Sequence, residues 1–179
     1  MSDLNIRLAV ATDIPRLMAI EHATQSDYVW QLDLRRENGH INATFREVRL
    51  PRPVTVRYPR DPHALAEDWS RRAAFFVALD GDELLGYICI LEHTHATTAW
   101  ITDLVISPSK RRCGVGSVLL STAQDWAVAR GIRDIFLEMS SKNHPAIRFA
   151  QKFGFEFCGY NDHYYLTQDV ALFFGRSLT

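Results

Sequence analysis

The chain lacks what a secreted scaffold, a membrane protein or a general nucleic-acid binder would need. Its three cysteines, Cys89, Cys113 and Cys158, are odd in number and unevenly spaced, so no disulfide framework is expected and a reducing cytoplasm fits. No apolar run approaches a membrane span, and the start, MSDLNIRLAV, has neither the charged head nor the long apolar stretch of a signal peptide. A cytoplasmic protein with no membrane partner is the expectation. Charge of one sign is lacking too, since the net charge is −1, which argues against nucleic acid as a partner. His93-Thr94-His95 would put two imidazoles on one side of a strand, but no third ligand is evident nearby, so no metal is expected. No internal repeat or low-complexity segment breaks the chain. With 179 residues, 47% hydrophobic and 23% charged, there is enough apolar material for one substantial core, and a single domain over residues 1–179 is expected.

The stretch Thr102 to Ser121 organises the rest. Trp100 to Ser107 reads as a buried strand stopped by Pro108. Gly114 to Arg130 reads as a helix, with Val115, Val118, Leu119, Thr122, Ala123, Trp126 and Ala129 at spacings of three and four and Gly131 as its stop. At its front stand Lys110, Arg111 and Arg112, against a terminus whose free N–H groups are already partly positive. Three such cations oppose the helix by roughly 1 to 3 kcal/mol in all, at about 0.3 to 1 kcal/mol each. A bound anion would reverse that sign. Gly114 and Gly116 supply the other half, because residues without side chains let a polyanion approach the backbone amides. A pyrophosphate-binding turn is the expectation, with a solvated basic cluster as the alternative.

At Arg111-Arg112-Cys113-Gly114-Val115-Gly116 the chain resembles the GNAT superfamily of acyl-CoA N-acyltransferases, whose signature is Gln/Arg-x-x-Gly-x-Gly/Ala after the fourth strand. A second block, Asn143-His144-Pro145-Ala146-Ile147 through Lys152-Phe153-Gly154-Phe155, matches as well. A closer likeness, along nearly the whole chain, is to the streptothricin (nourseothricin) acetyltransferase-like branch. It is carried by Phe45-Arg46-Glu47-Val48, Cys158-Gly159, Tyr165 and Ala171-Leu172-Phe173-Phe174 besides the second block. The resemblance implies an α/β (α+β) fold: a mixed, mostly antiparallel sheet with a central parallel pair splayed for acyl-CoA, flanked by helices. It implies acetyl-CoA as cofactor and direct transfer, in a ternary complex, to a primary amine of a small molecule. A protein or peptide acceptor and a non-catalytic acyl-CoA sensor are the alternatives, and a homodimer is left open.

In chain order, Leu4 to Val10 alternates as a strand, and Ile14, Leu17, Met18 and Ile20 mark a helix to about His22. Asn38-Gly39 signals a hairpin with arms Val29 to Arg35 and Ala43 to Arg49. LPRPVTVRYPRDP follows as a proline-rich connector, and His63 to Arg71 as a short helix. The nine arginines from Arg35 to Arg72 read as a solvated face rather than an anionic-substrate site. Ala73 to Leu79, Glu83 to Leu91 and the strand from Thr98 should run antiparallel in succession. Asp134 to Ser140 follows a crossover and should lie parallel to the strand ending at Pro108. Phe155 to Tyr160 and Val170 to Phe174 should pair.

Leu104, Val105, Ile106, Arg111, Arg112, Cys113, Gly114, Val115, Gly116, Ser117 and Asn143 are the expected cofactor residues. Backbone groups of Leu104 to Ile106 facing the thioester, and Asn143 on the pantetheine arm, are implied by the resemblance. An ammonium must lose a proton before it attacks, which calls for a base within reach. Asp103, Glu92 and Glu138 are the acids nearest the expected cleft, Asp103 foremost because a two-residue period puts it on one face with Ile101 and Val105. Alternatively, Asp103 bonds backbone amides at a bulge, and the two glutamates sit at solvent-facing strand ends. Many members of the superfamily carry a tyrosine where this chain has Ala150. Tyr165, then Tyr164 and Tyr160, are the remaining donors for the leaving sulfur, unless the thiolate leaves unaided. Cys113 has no base beside it in sequence and is not expected to be a nucleophile.

Overall fold

Short apolar runs bounded by turn residues become the central strands. The computed structural model describes residues 4–93 and 97–178. Among these the strands are β1 (Leu4–Leu8), β2 (Thr24–Glu37), β3 (His40–Val56), β4 (Ala74–Asp80), β5 (Glu83–His93), β6 (Thr98–Ile106), β7 (Asp134–Ser140), β8 (Glu156–Asn161) and β9 (Ala171–Ser177). The helices are α1 (Ile14–Met18), α2 (Leu65–Asp68), α3 (Val115–Ala129) and α4 (His144–Lys152). Seven strands form one sheet in the order β1-β4-β5-β6-β7-β9-β8, while β2 and β3 form a separate ribbon. The expected α/β class, the antiparallel run β4-β5-β6 and the parallel β6-β7 pair are all present.

Strand β4 explains the layering. Ala74, Phe76 and Ala78 face a large core with α3, whereas Phe75, Val77 and Leu79 face a smaller cluster with Ile14, Leu17 and Leu65. A strand buried on both faces is apolar throughout, and AFFVAL is. Helix α3 turns Val115, Leu119, Leu120, Ala123 and Ala127 inward. Val118 and Ala129, expected in that stripe, are exposed, because the helix sits rotated toward Leu120 and Ala127.

Two further expectations change. Helix α1 stops at Met18 rather than near His22, and the chain turns so that His22 Nδ1 meets the Ile20 carbonyl at 2.5 Å. The connector beginning at Leu50 is strand as far as Val56. Its prolines are tolerated because the register jumps from Tyr28↔Arg49 to Ser26↔Val54, leaving Pro51 and Pro53 without ladder partners. The hairpin turn at Asn38-Gly39 is as read, on much longer arms. The ribbon is seated by aromatic contacts of Phe45 with Phe157 and Tyr160, each at 5.2 Å, and by the Trp30 N–H on the Ser141 carbonyl at 2.8 Å.

The feature that shapes the site is a bulge in β6. Cys89 pairs with Asp103 and Ile90 with Ile101, so Thr102 is an extra residue. One inserted residue reverses the facing of those that follow. Ile101 therefore lies in the large core and Val105 in the small one, on opposite faces, contrary to the simple two-residue period. Beyond the bulge β6 lies hard against β5, since a Cβ on Gly86 would come within 2.4 Å of the Val105 carbonyl oxygen. Gly86→Ala is accordingly expected to lose about 1 to 3 kcal/mol by overpacking, read as a lower urea midpoint with an unchanged slope.

Candidate active site

Pairing of β6 with β7 runs only from Thr98↔Asp134 to Ile101↔Leu137. Past the Thr102 bulge the two strands part, and a groove of about 1060 Å³ opens between them. Leu104 and Ile106 line it, as does Val105, whose side chain belongs to the smaller core.

At one end the groove reaches the turn before α3. Arg112 (φ 61°) and Gly114 (φ 88°) take left-handed backbone there, and Gly114 caps α3 with no side-chain capping bond. Intrahelical bonds begin with the Ser117 and Val118 N–H groups on the Gly114 carbonyl, so the amides just ahead have no partner within the helix. Gly114, Gly116, Ser117, Arg111 and Arg112 line the groove. Cys113 is exposed with its thiol toward the Arg111 carbonyl, and Val115 is buried in the core. The protein relieves two of the three cations itself. Lys110 pairs with Glu83 at 2.8 Å, and Arg111 donates to the carbonyls of Ile106 (3.0 Å), Glu21 (3.0 Å) and Ala23 (2.9 Å). Burial lowers the Arg111 pKa. Across the groove, Asn143 caps α4 by accepting from the Ala146 N–H at 3.2 Å, and Arg148 and Lys152 follow on the same helix.

The middle of the gap is held by a residue from the segment after β3. Arg60 donates to the Thr102 carbonyl (2.9 Å) and Asp103 Oδ1 (3.2 Å) on β6, and it also pairs with Glu138 on β7. The side chains of Asp103 and Glu138 are only 1% and 2% exposed. Asp103 also accepts from the hydroxyls of Tyr58 and Thr102, the latter at 2.7 Å. Its acceptor sites are thus engaged by side chains rather than by backbone amides. Burial pulls the Arg60 pKa down, yet Asp103 and the tyrosines around it leave it raised. Tyr165 stands over the same gap, 93% buried with a hydroxyl that has no hydrogen-bond partner. Burial raises its pKa, so it keeps its proton at neutral pH. Tyr164 is half exposed and donates to Glu138 at 2.7 Å.

The other expected acids and tyrosines sit elsewhere. Glu92 is at the surface, paired with Arg130 at 3.2 Å, and Tyr160 packs on Phe45. Ala150 is wholly buried in the core. The His93 side chain, Thr94 and His95 lie outside the described residues, and among the described residues no three His, Cys, Asp or Glu side chains gather as a metal set.

A glycine turn at a helix start, opening into a gap between two parallel strands, is what the resemblance implied, and residues 41–155 match the acetyltransferase (GNAT) family. The chain belongs to that family. Streptothricin acetyltransferase of Streptomyces lavendulae is 28% identical over 170 residues, covering 92% of this chain and 87% of its own. The crystal structure of a nourseothricin acetyltransferase superposes with a TM-score of 0.83 at 25% identity, over 98% of this chain and 99% of that one. A Bacillus anthracis chain solved in complex with acetyl coenzyme A has the same fold, with a TM-score of 0.75 at 22% identity and coverage of 98% and 99%. The protein is therefore an acetyltransferase, and acetyl-CoA is the donor its family uses. The site fits that donor: the α3 amides are free of side-chain caps, and the interstrand gap carries a buried hydroxyl without a partner.

Tyr58, Arg60 and His22 were not singled out from the sequence. Seven of the nine arginines in that region are exposed as expected, but Arg60 and Arg72 are half-buried beside Thr102 and Asp103. No local pattern marks these two arginines, because their partners lie 30 or more residues away in the chain. Arg60→Ala leaves two buried carboxylates short of their cation and is expected to lower stability by about 3 to 5 kcal/mol. Arg60→Lys should recover only part, for want of the planar fork. Chemical denaturation of the three proteins side by side gives the comparison.

Proposed function

We propose that this GNAT protein transfers the acetyl group of acetyl-CoA to a primary amine on a small molecule of the streptothricin kind, by direct attack in a ternary complex. The amides from Gly114 to Ser117, with Arg112, would hold the pyrophosphate. Arg111 would position that turn from behind, and Leu104 to Ile106 with Asn143 would line the pantetheine arm. Bound acetyl-CoA supplies an activated acyl carbon and a thiol leaving group. The observation that carries the proposal is Tyr165, a buried hydroxyl without a partner in the interstrand gap. With its raised pKa it acts as a hydrogen-bond donor to the departing sulfur rather than as a strong acid. Asp103 and Glu138 supply negative charge on which a cationic acceptor can settle, with Arg60 offsetting one of the two. Tyr164 fixes Glu138 rather than meeting the acyl group.

Support for the acceptor class comes from the streptothricin acetyltransferase likeness along most of the chain. The cytoplasm is the proposed location, consistent with cysteines that are all free. Release of CoA thiol with streptothricin, small polyamines and N-terminal peptides separates the cases. Turnover of streptothricin or another small amine supports the proposal, peptide turnover alone moves the acceptor class, and binding of acetyl-CoA without thiol release marks a sensor.

Two variants test the site assignment. A Cβ on Gly116 would meet nothing closer than Phe149 at 3.6 Å, so the fold itself tolerates a side chain there. Gly116→Asp should keep the fold and abolish the thermal shift by acetyl-CoA, while Gly116→Ala keeps the fold and part of the shift. Tyr165→Phe should be stable, because it removes an unpaired buried hydroxyl. Its kcat should fall roughly 100-fold, the low end of general-acid effects, with the acetyl-CoA KM unchanged.

A further inference from the structure

The acetyl transfer leaves one task unassigned, the removal of the ammonium proton. The carboxylates and imidazoles that line the groove are those of His22, Asp27, Asp103, Glu138 and His144. Asp103 has its acceptor sites engaged by Tyr58, Thr102 and Arg60, and Glu138 is held by Arg60 and Tyr164. His22 has one nitrogen on the Ile20 carbonyl and the other on the Tyr87 hydroxyl. Asp27 is exposed at the base of the ribbon, where water competes for any proton. His144 remains.

The ribbon builds a support for that imidazole. Trp30, whose N–H meets the Ser141 carbonyl at 2.8 Å, stands opposite Glu47 in the β2-β3 ladder. Glu47 is thereby brought to the first turn of α4, where its Oε2 lies 2.8 Å from His144 Nε2. A carboxylate can only accept, so Nε2 carries the hydrogen and Nδ1 of the neutral ring the lone pair. The same bond holds the Glu47 carboxyl below the usual carboxylate range. The Tyr28 ring lies against the imidazole with centroids 4.9 Å apart. Nδ1 has no hydrogen-bond partner among the described residues and is open to solvent.

His144 also stands at the reacting end of the gap. The Gln168 N–H closes a turn on the Tyr165 carbonyl at 2.9 Å, and the next residue, Asp169, accepts from Ser140 Oγ at 3.4 Å and Lys142 Nζ at 2.5 Å. The Ser140 carbonyl in turn accepts from the Asn143 N–H at 2.8 Å. Tyr165 on one side and Asn143-His144 on the other are thus fastened to the same end of β7.

We propose that His144 is the general base of the transfer and that Glu47 positions its imidazole. The ammonium N–H bond breaks, its electron pair stays on nitrogen, and the proton forms a new N–H bond at His144 Nδ1. One positive charge moves from the amine to the imidazolium, which faces the Glu47 carboxylate. The nitrogen pair then forms the C–N bond as the C–S pair leaves with sulfur. Of the two hydrogens left on nitrogen, one stays in the amide and the other neutralises the thiolate. The imidazolium returns its proton to water as the products leave, since its side chain keeps 16% of its surface exposed and that of Glu47 keeps 42%.

The groups around the ring suit that cycle. Glu47 faces it from β3 and Tyr28 from β2, while Arg148 on the same helix acts on Glu47. Lys142, just ahead of α4, is already paired with Asp169. An imidazole is the side chain that ordinarily exchanges a proton near neutral pH.

This assignment rests on the acetyltransferase reading, and one set of assays tests both. CoA release from acetyl-CoA is followed from pH 6 to 10 with the small amine turned over fastest, for the unsubstituted full chain, His144→Gln, His144→Ala and Glu47→Gln. The expected outcome is a fall in kcat of roughly 100-fold in His144→Gln at pH 7. That deficit should shrink as pH rises, because bulk water then delivers the amine already neutral. Imidazole should restore His144→Ala several-fold, Glu47→Gln should lose less than either, and the acetyl-CoA thermal shift should be kept in all. An unchanged kcat in His144→Gln overturns the assignment and leaves acetyl transfer standing. So does a deficit equal at every pH and untouched by imidazole, or loss of the thermal shift in both His144 variants. Absence of thiol release by the unsubstituted chain with every amine overturns both.

Discussion

A single extra residue in β6 is what the molecule turns on. A parallel pair that continued past Ile101 and Leu137 would satisfy its own backbone and leave no room for a ligand. Thr102 breaks the ladder, and the separation that follows is maintained from both sides. Gly86 lets β6 lie against β5, and Arg60 spans the open side with bonds to both strands. The bulge also turns Asp103 toward Tyr58 and Cys89, away from the face of Ile101. Geometry and polarity of the site therefore share one local cause.

Charge is distributed unevenly along the groove. The end at α3 offers amides and Arg112, with its Lys110 already paired to Glu83, whereas the middle buries two carboxylates against one guanidinium. Burying ions is costly unless they are paired. Arg60 therefore ties the two buried carboxylates together and bridges the two strands at once. Arg111 shows the opposite economy: a residue of the phosphate-binding signature has its donors on three carbonyls and works as a brace.

Much of the frame was legible because local chemistry and global structure agree. Asn38-Gly39 makes the hairpin turn, Asn143 with Pro145 starts α4, and Gly131 stops α3 with φ 72°. The arms of the hairpin were misjudged because proline rules describe a paired strand, and Pro51 and Pro53 sit where pairing lapses. The site was only half legible for a related reason. The glycine turn is contiguous in sequence, so spacing reveals it. Tyr58, Arg60 and His22 are brought together by the path of the chain after β3 and after α1, and each alone has an ordinary context. Asp103 was noticed for its period, yet the bulge gives it a different face and different neighbours from those the period implied.

The ribbon has a practical side. Its base carries Gln25, Asp27 and Tyr28 along the groove, and its midsection is seated by Trp30 and Phe45. From Arg35 to Thr44 every residue is exposed. A fluorophore or affinity handle grafted beside Asn38-Gly39 would thus ride at the far end of a stalk rooted in the groove wall, able to report on that wall from a distance.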